Sequence, residues 1–181
     1  YGGQLLMHPG EKVTVRDLFN ASLLSSANNA TLAYVRTLDI PESEFVQRMN
    51  RKAIELGLEQ TQFVEVTGLD DENISTAYEV ARLAAAAFQY PAIAEATSQH
   101  TYRFNFSGSN REHTLTNSNK IFTAENPRPF AGSKTGYLYE AGFCVVVQGI
   151  VDQSERIAVI LGSPSETGHF QEIARLLKRP I

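Results

Sequence analysis

Residues 130–152 read FAGSKTGYLYEAGFCVVVQGIVD. Lys134-Thr135-Gly136 stands at the head of a long apolar run. Three strand-like segments, about 130–138, 142–151 and 156–162, succeed one another here. Asp152–Glu155 makes a tight connection between the last two. Connections this short join antiparallel neighbours, because a parallel pair needs a crossover of a dozen residues or more.

Upstream the pattern is helical. KVTVRDLFNASLLSSANNATLAYVRTL (12–38) predicts two helices with a break near Ser25–Asn29. Thr14 and Asp17 form a capping pair, and Val15, Leu18, Phe19 and Leu23 share one face. Asn28 or Asn29 is expected to cap the second helix, with Ala30, Ala33 and Tyr34 behind it. PESEFVQRMNRKAIELG (41–57) predicts a helix with Pro41 in its first turn, Phe45, Met49, Ala53 and Leu56 on one face, and Gly57 at its stop. Thr76-x-x-Glu79 predicts a capping box, and that helix should stop at Pro91. TYRFNFSGSNREHTLTNSN (101–119) predicts a β-hairpin turning at Ser107–Asn110. TGHFQEIARLLKR (167–179) predicts a closing amphipathic helix. This order is α+β, or mixed α/β, and not a βαβ repeat.

Composition sets outer bounds. The 181 residues are 43% hydrophobic and 20% charged, with a net charge of −4. That is an ordinary globular balance. The basic residues are scattered and form no stripe, which argues against a nucleic-acid partner. No stretch reaches the length of a membrane span and no signal peptide is visible. The single cysteine, Cys144, reads as a buried core thiol. His8, His100 and His113 read as surface or loop residues. No metal site or cofactor is called for.

A phosphate loop requires glycine just before the lysine and a helix after it. Here Ser133 precedes Lys134 and a strand follows, so that reading fails. The tripeptide gains meaning from Ser26-Ala27-Asn28, an S-x-N at the expected helix break. Penicillin-binding proteins and serine β-lactamases carry S-x-x-K, S-x-N and K-T-G in that chain order. Further segments extend the likeness: HPGEKVTVRDLF (8–19), SSANNATLA (25–33), NRKAIELGLEQTQFVEVTGLDDENISTAYEVARL (50–83), LTNSNKIF (115–122) and KTGYLYEAGFCVV (134–146). Over roughly residues 3–178 the chain resembles the serine D-Ala-D-Ala carboxypeptidases, the low-molecular-weight penicillin-binding proteins. The resemblance implies a penicillin-binding/β-lactamase-like fold of the α/β (α+β) type, an antiparallel sheet flanked by helices. Residues 1–181 would form part of one catalytic domain, incomplete at its N-terminus.

The S-x-x-K element is absent from the sequence. Pro9, Met49, Asn117, Ala131 and Arg175 stand three places before the five lysines. The nucleophile and its base are therefore expected on a preceding segment of a longer enzyme. The alternative is a non-catalytic peptidoglycan-binding or regulatory module.

The resemblance implies acyl transfer from peptidoglycan peptides ending in D-Ala-D-Ala, with β-lactam antibiotics as inhibitors, in the cell envelope or periplasm. Ser26 would relay a proton to the leaving amine. Asn28 would hold the substrate carbonyl and orient the lysines. Lys134 would set a positive charge near the substrate carboxylate and the relay. The Thr135 hydroxyl would bond that carboxylate, and Gly136 would let the substrate backbone lie against the strand. The Tyr137 N–H would be one oxyanion-hole donor. Asn119 is a supporting candidate only.

Two departures are visible. Tyr137 replaces the usual histidine after K-T-G, and His169, in ETGHF, stands where the family usually has arginine. An imidazole is mostly neutral at pH 7, so a D,D-endopeptidase substrate is the alternative within enzymes. Without the nucleophile segment, self-association through uncovered apolar faces or a strand edge is also expected.

Overall fold

A computed structural model describes residues 3–121 and 130–178. Phe122 of LTNSNKIF and Arg179 of the closing-helix segment lie outside the described residues. Five helices come first: α1 (Val15–Leu24), α2 (Asn28–Arg36), α3 (Glu42–Glu55), α4 (Ala77–Ala87) and α5 (Pro91–Ser98). A hairpin follows, β1 (Thr101–Asn105) and β2 (Glu112–Thr116), paired antiparallel. Then come β3 (Phe130–Leu138), β4 (Gly142–Val151), β5 (Ser154–Ser163) and α6 (Glu166–Lys178). The larger sheet has the order β3-β4-β5, antiparallel throughout. The expected antiparallel sheet flanked by helices is present.

The capping pair at α1 closes fully. Thr14 Oγ1 accepts from the Asp17 N–H at 3.1 Å, and Asp17 Oδ2 accepts from the Thr14 N–H at 2.9 Å. The other carboxylate oxygen accepts from the Tyr102 hydroxyl at 2.8 Å, so the buried Asp17 has a partner on each oxygen. Of the expected face Leu18 is buried and Phe19 and Leu23 are half-buried. Val15 is exposed, whereas Leu18, Ala21 and Leu24 are buried beside Asp17 and Asn20.

The N-cap of α2 is Ala27 and carries no side-chain bond. Asn29, one of the two expected caps, instead donates to the Leu5 carbonyl and accepts from the Leu5 N–H, both at 2.9 Å. At α4 only half of the capping box forms. Thr76 Oγ1 accepts from the Glu79 N–H, but the Glu79 carboxylate accepts from the Gln60 N–H and the Thr61 hydroxyl. The Thr61 hydroxyl, opposed by burial, is the main reason its pKa lies below the usual carboxylate range. Pro91 does not simply end a helix. It occupies the first turn of α5, where its missing N–H costs nothing and its fixed φ suits a helix start.

Two apolar clusters organise the chain. Leu5, Leu18, Ala21, Leu24, Ala27, Ala30, Phe106 and Leu115 join α1, α2 and the hairpin. Phe130, Val145, Val147, Ala158, Ile173 and Leu177 join α6 to the larger sheet. α4 packs on β4 and β5, and α5 on β3. Residues 145–149 of β4 are buried without interruption. Successive side chains on a strand point to opposite faces, so a strand covered on both sides reads as a continuous apolar run. Close packing also explains Gly132, where a Cβ would lie 2.5 Å from the Phe88 ring.

The β4–β5 connection is tighter than the sequence suggests. Asp152 and Gln153 have φ of 51° and 62°, the left-handed pair of a two-residue hairpin turn, so β5 begins at Ser154.

Cys144 and His113 depart from expectation. Cys144 is half-buried, not a core residue. Its cross-strand partner is Gly136, which has no side chain to cover it. His113 lies in β2 and packs its ring edge-on to Phe104 at 5.5 Å. Burial there lowers its pKa.

Candidate active site

The break between α1 and α2 is held from several sides. Ser26 adopts φ 57°, a left-handed conformation that costs a non-glycine residue about 1–3 kcal/mol and persists only where its surroundings enforce it. Here the Ala27 N–H donates to the Ala21 carbonyl, and the Asn28 N–H to the Gly3 carbonyl. Gly3 pairs with Ala27 as a parallel bridge. A Cβ on Gly3 would fall 2.7 Å from the Ser26 carbonyl oxygen, so only glycine can approach this closely. Ala27 itself, the middle residue of S-x-N, is buried in the first cluster.

β3 brings Lys134 to this break. Lys134 Nζ donates to Ser26 Oγ at 2.6 Å and to the Thr135 carbonyl at 2.7 Å. Removal from water lowers the lysine pKa to about 8, because burial disfavours the charged form. The Thr135 hydroxyl donates to Ser118 Oγ at 2.6 Å. A Cβ on Gly136 would meet nothing closer than the Cys144 Cβ at 3.8 Å. Internal packing therefore does not demand this glycine, and its bare side is open. Among the described residues the outer edge of β3 pairs with no strand.

All seven residues singled out from sequence, Ser26, Asn28, Lys134, Thr135, Gly136, Tyr137 and His169, line one open groove of about 1210 Å³. Among the described residues no hydrogen bond holds the Asn28 side chain. Tyr137 is exposed, its ring 4.4 Å from that of Phe143. His169 is buried, its ring 5.7 Å from Phe143 and 3.9 Å from Phe170. A smaller cavity of about 320 Å³ lies between Phe19, Tyr34, Glu95 and Tyr102, with none of these seven residues in its lining.

Two parts of the groove were not assigned from sequence. Ser118 is presented by its neighbours: Asn117 Oδ1 accepts from the Asn119 N–H, and Asn119 Oδ1 from the Ile121 N–H. The Ser118 N–H donates to the Leu24 carbonyl at the end of α1. Asn119 is thus a buried turn residue, and the hydroxyl between the two asparagines reaches the site. The N-S-N spacing was its one visible signal.

The other part is the rim at Val66, Thr67, Gly68 and Leu69. Glu65 gathers it, accepting from the N–H groups of Thr67, Gly68 and Leu69, the Thr67 hydroxyl and Asn73 Nδ2. Burial acts to raise the Glu65 pKa, but these donors outweigh it and hold the carboxyl below its usual range. Among the described residues no group of three or more His, Cys, Asp and Glu is placed to hold a metal ion.

An amine on a serine hydroxyl, flanked by a threonine–serine hydroxyl pair and an open strand edge, can pass a proton and hold an extended peptide. A family model described as D-alanyl-D-alanine carboxypeptidase matches residues 2–165. The D-alanyl-D-alanine carboxypeptidase DacF of Bacillus subtilis is 30% identical, over 97% of this chain and 45% of its own length. A D-alanyl-D-alanine endopeptidase of Pseudomonas aeruginosa is also 30% identical, over 92% of this chain and 54% of its own length. The chain thus spans about half the length of these curated relatives. The crystal structure of a Streptomyces DD-transpeptidase superposes with a TM-score of 0.84 at 25% identity, covering 97% of this chain and 70% of that one.

Proposed function

The chain belongs to the D-alanyl-D-alanine carboxypeptidase family, and on that premise we propose that it is the S-x-N and K-T-G portion of a single serine-type catalytic domain. The domain acts on peptidoglycan stem peptides ending in D-Ala-D-Ala, works in the cell envelope and is acylated by β-lactams. The observation that carries this reading is the 2.6 Å bond from Lys134 Nζ to Ser26 Oγ, which joins two motifs 108 residues apart in sequence.

In this reading a serine of an S-x-x-K element outside residues 1–181 attacks the D-Ala carbonyl. Ser26 takes a proton from Lys134 and passes it to the leaving amine, since one hydroxyl can accept and donate together. Thr135, steadied by Ser118, bonds the substrate's terminal oxygens. Asn28 holds the substrate amide, and the peptide adds to the free edge of β3 beside Gly136. The Tyr137 N–H is one donor to the tetrahedral oxyanion. Water then releases the shortened peptide. Mapping where a penicillin attaches tests the proposal.

Self-association belongs to the same reading. Among the described residues β5 pairs only with β4, and open strand edges recruit other strands. Sedimentation velocity of the 181-residue chain is expected to show dimers that grow with concentration. A monomer at every concentration would refute this part.

A further inference from the structure

β3 and the turn after β2 put two hydroxyls side by side in the groove. Thr135 Oγ1 donates to Ser118 Oγ at 2.6 Å, and both residues line the groove with Ser26 and Lys134. A hydroxyl has one hydrogen and two lone pairs. The Thr135 hydrogen lies on Ser118, so the hydrogen left over in the pair is that of Ser118. Among the described residues no hydrogen bond uses it.

Ser118 is held in place independently of Thr135. Its N–H donates to the Leu24 carbonyl. The side-chain oxygens of Asn117 and Asn119 accept from the N–H groups two residues on, which folds the backbone around it. Both asparagines are buried, and Asn117 Nδ2 donates to the Thr97 and Gln99 carbonyls. The Ser118 hydroxyl therefore stands on a fixed turn, tied to the end of the helix that leads into Ser26.

The groove offers an anion little charge. Among the described residues Lys134 is the only cation in its lining, and Nζ already donates to Ser26 Oγ and to the Thr135 carbonyl. Lys120, outside that lining, is paired with Glu166. A carboxylate beside Lys134 needs neutral donors for its two oxygens. Hydrogen bonds to an ionised acceptor are roughly twice as strong as those between neutral groups. Thr135 can turn its hydrogen onto one oxygen, because a hydroxyl rotates to suit its partner. Ser118 offers its free hydrogen to the other.

We propose that Ser118 is a substrate-binding residue. Its hydroxyl donates directly to the terminal carboxylate of the peptide and forms, with Thr135, a receptor of two hydroxyls for two oxygens. Ser118 is then more than a support for Thr135. The inference rests on the function proposed above and adds a residue to its site.

A double-mutant cycle in the enzyme that includes the S-x-x-K element tests it, with N-acetyl-D-Ala-D-Ala as free acid and as N-methylamide. Ser118→Ala is expected to lower kcat/KM for the acid about thirtyfold, mainly through KM, and for the amide about threefold, since a bond to an ionised acceptor is worth more than one to a neutral carbonyl. With Thr135→Val already in place there is no hydroxyl to support, and Ser118→Ala should still cost the acid about tenfold. Ser118→Cys keeps the shape but donates weakly; it should lower the acid in the same way, and it decides if Ser118→Ala does not fold. No further loss beyond Thr135→Val would make Ser118 a support alone and overturn the inference. So would an acid-to-amide ratio that neither Ser118 variant changes. Both of these results leave the catalytic reading standing, because the unmodified enzyme still cuts the peptide. If the unmodified enzyme cuts neither form, both fall.

Discussion

Replacing Lys134 by alanine, in the enzyme that joins this chain to its S-x-x-K serine, is expected to slow acylation by a penicillin about a hundredfold or more. Ser26→Ala should cost about as much. Nζ and Oγ are already 2.6 Å apart, so either change removes one member of a two-group relay. Groups that act as a unit are not additive, and the double variant should be little slower than either single one. Rates within about twofold of the unmodified enzyme would show that the two motifs are misplaced. The same pair sets a pH signature. Burial brings the Lys134 pKa down to about 8, so the charged relay form is present below that value and lost above it. The acylation rate should therefore fall on the alkaline side near pH 8. A rate that stays flat until pH 10 would contradict the lowered lysine pKa.

Phe106→Ala is the second large effect, on stability. Phe106 is completely buried among Leu18, Leu24 and Ala27. Its ring also meets Phe104 edge-on at 5.0 Å and lies 4.3 Å from the Arg111 guanidinium. Truncating such a ring removes its burial and leaves a cavity, at a cost of about 3–5 kcal/mol. Because Ala27 belongs to the same cluster, the S-x-N turn should loosen as well. Urea unfolding measures the loss. A change below about 1 kcal/mol would mean that this cluster does not hold α1, α2 and the hairpin together.

The larger sheet was legible because its signals are local. The apolar run of β4, the short connection after Val151 and the amphipathic pattern of α6 each lie within one stretch of sequence. Ser26, Asn28 and Lys134 were legible as motifs, although their meeting depends on folding. Features that join distant residues were not legible. The hydrogen bond from Tyr102 to the buried Asp17 of α1 joins residues far apart in sequence, and nothing near Asp17 announces it. Ser118 enters the site because two neighbouring asparagines fold the backbone around it and because Thr135 lies opposite. Pro91 was ambiguous in kind: the same ring that stops one helix suits the first turn of the next.

The central claim is that these residues assist a serine that lies outside them. The position at which a penicillin attaches tests it most directly. A labelled penicillin should leave the 181-residue chain unmodified by intact mass. In the enzyme that includes the S-x-x-K element, it should acylate the serine of that element at one equivalent. A stoichiometric adduct on any residue from 1 to 181 would contradict the account. So would an enzyme with no adduct at all, which would make the chain part of a binding module and not of a catalyst.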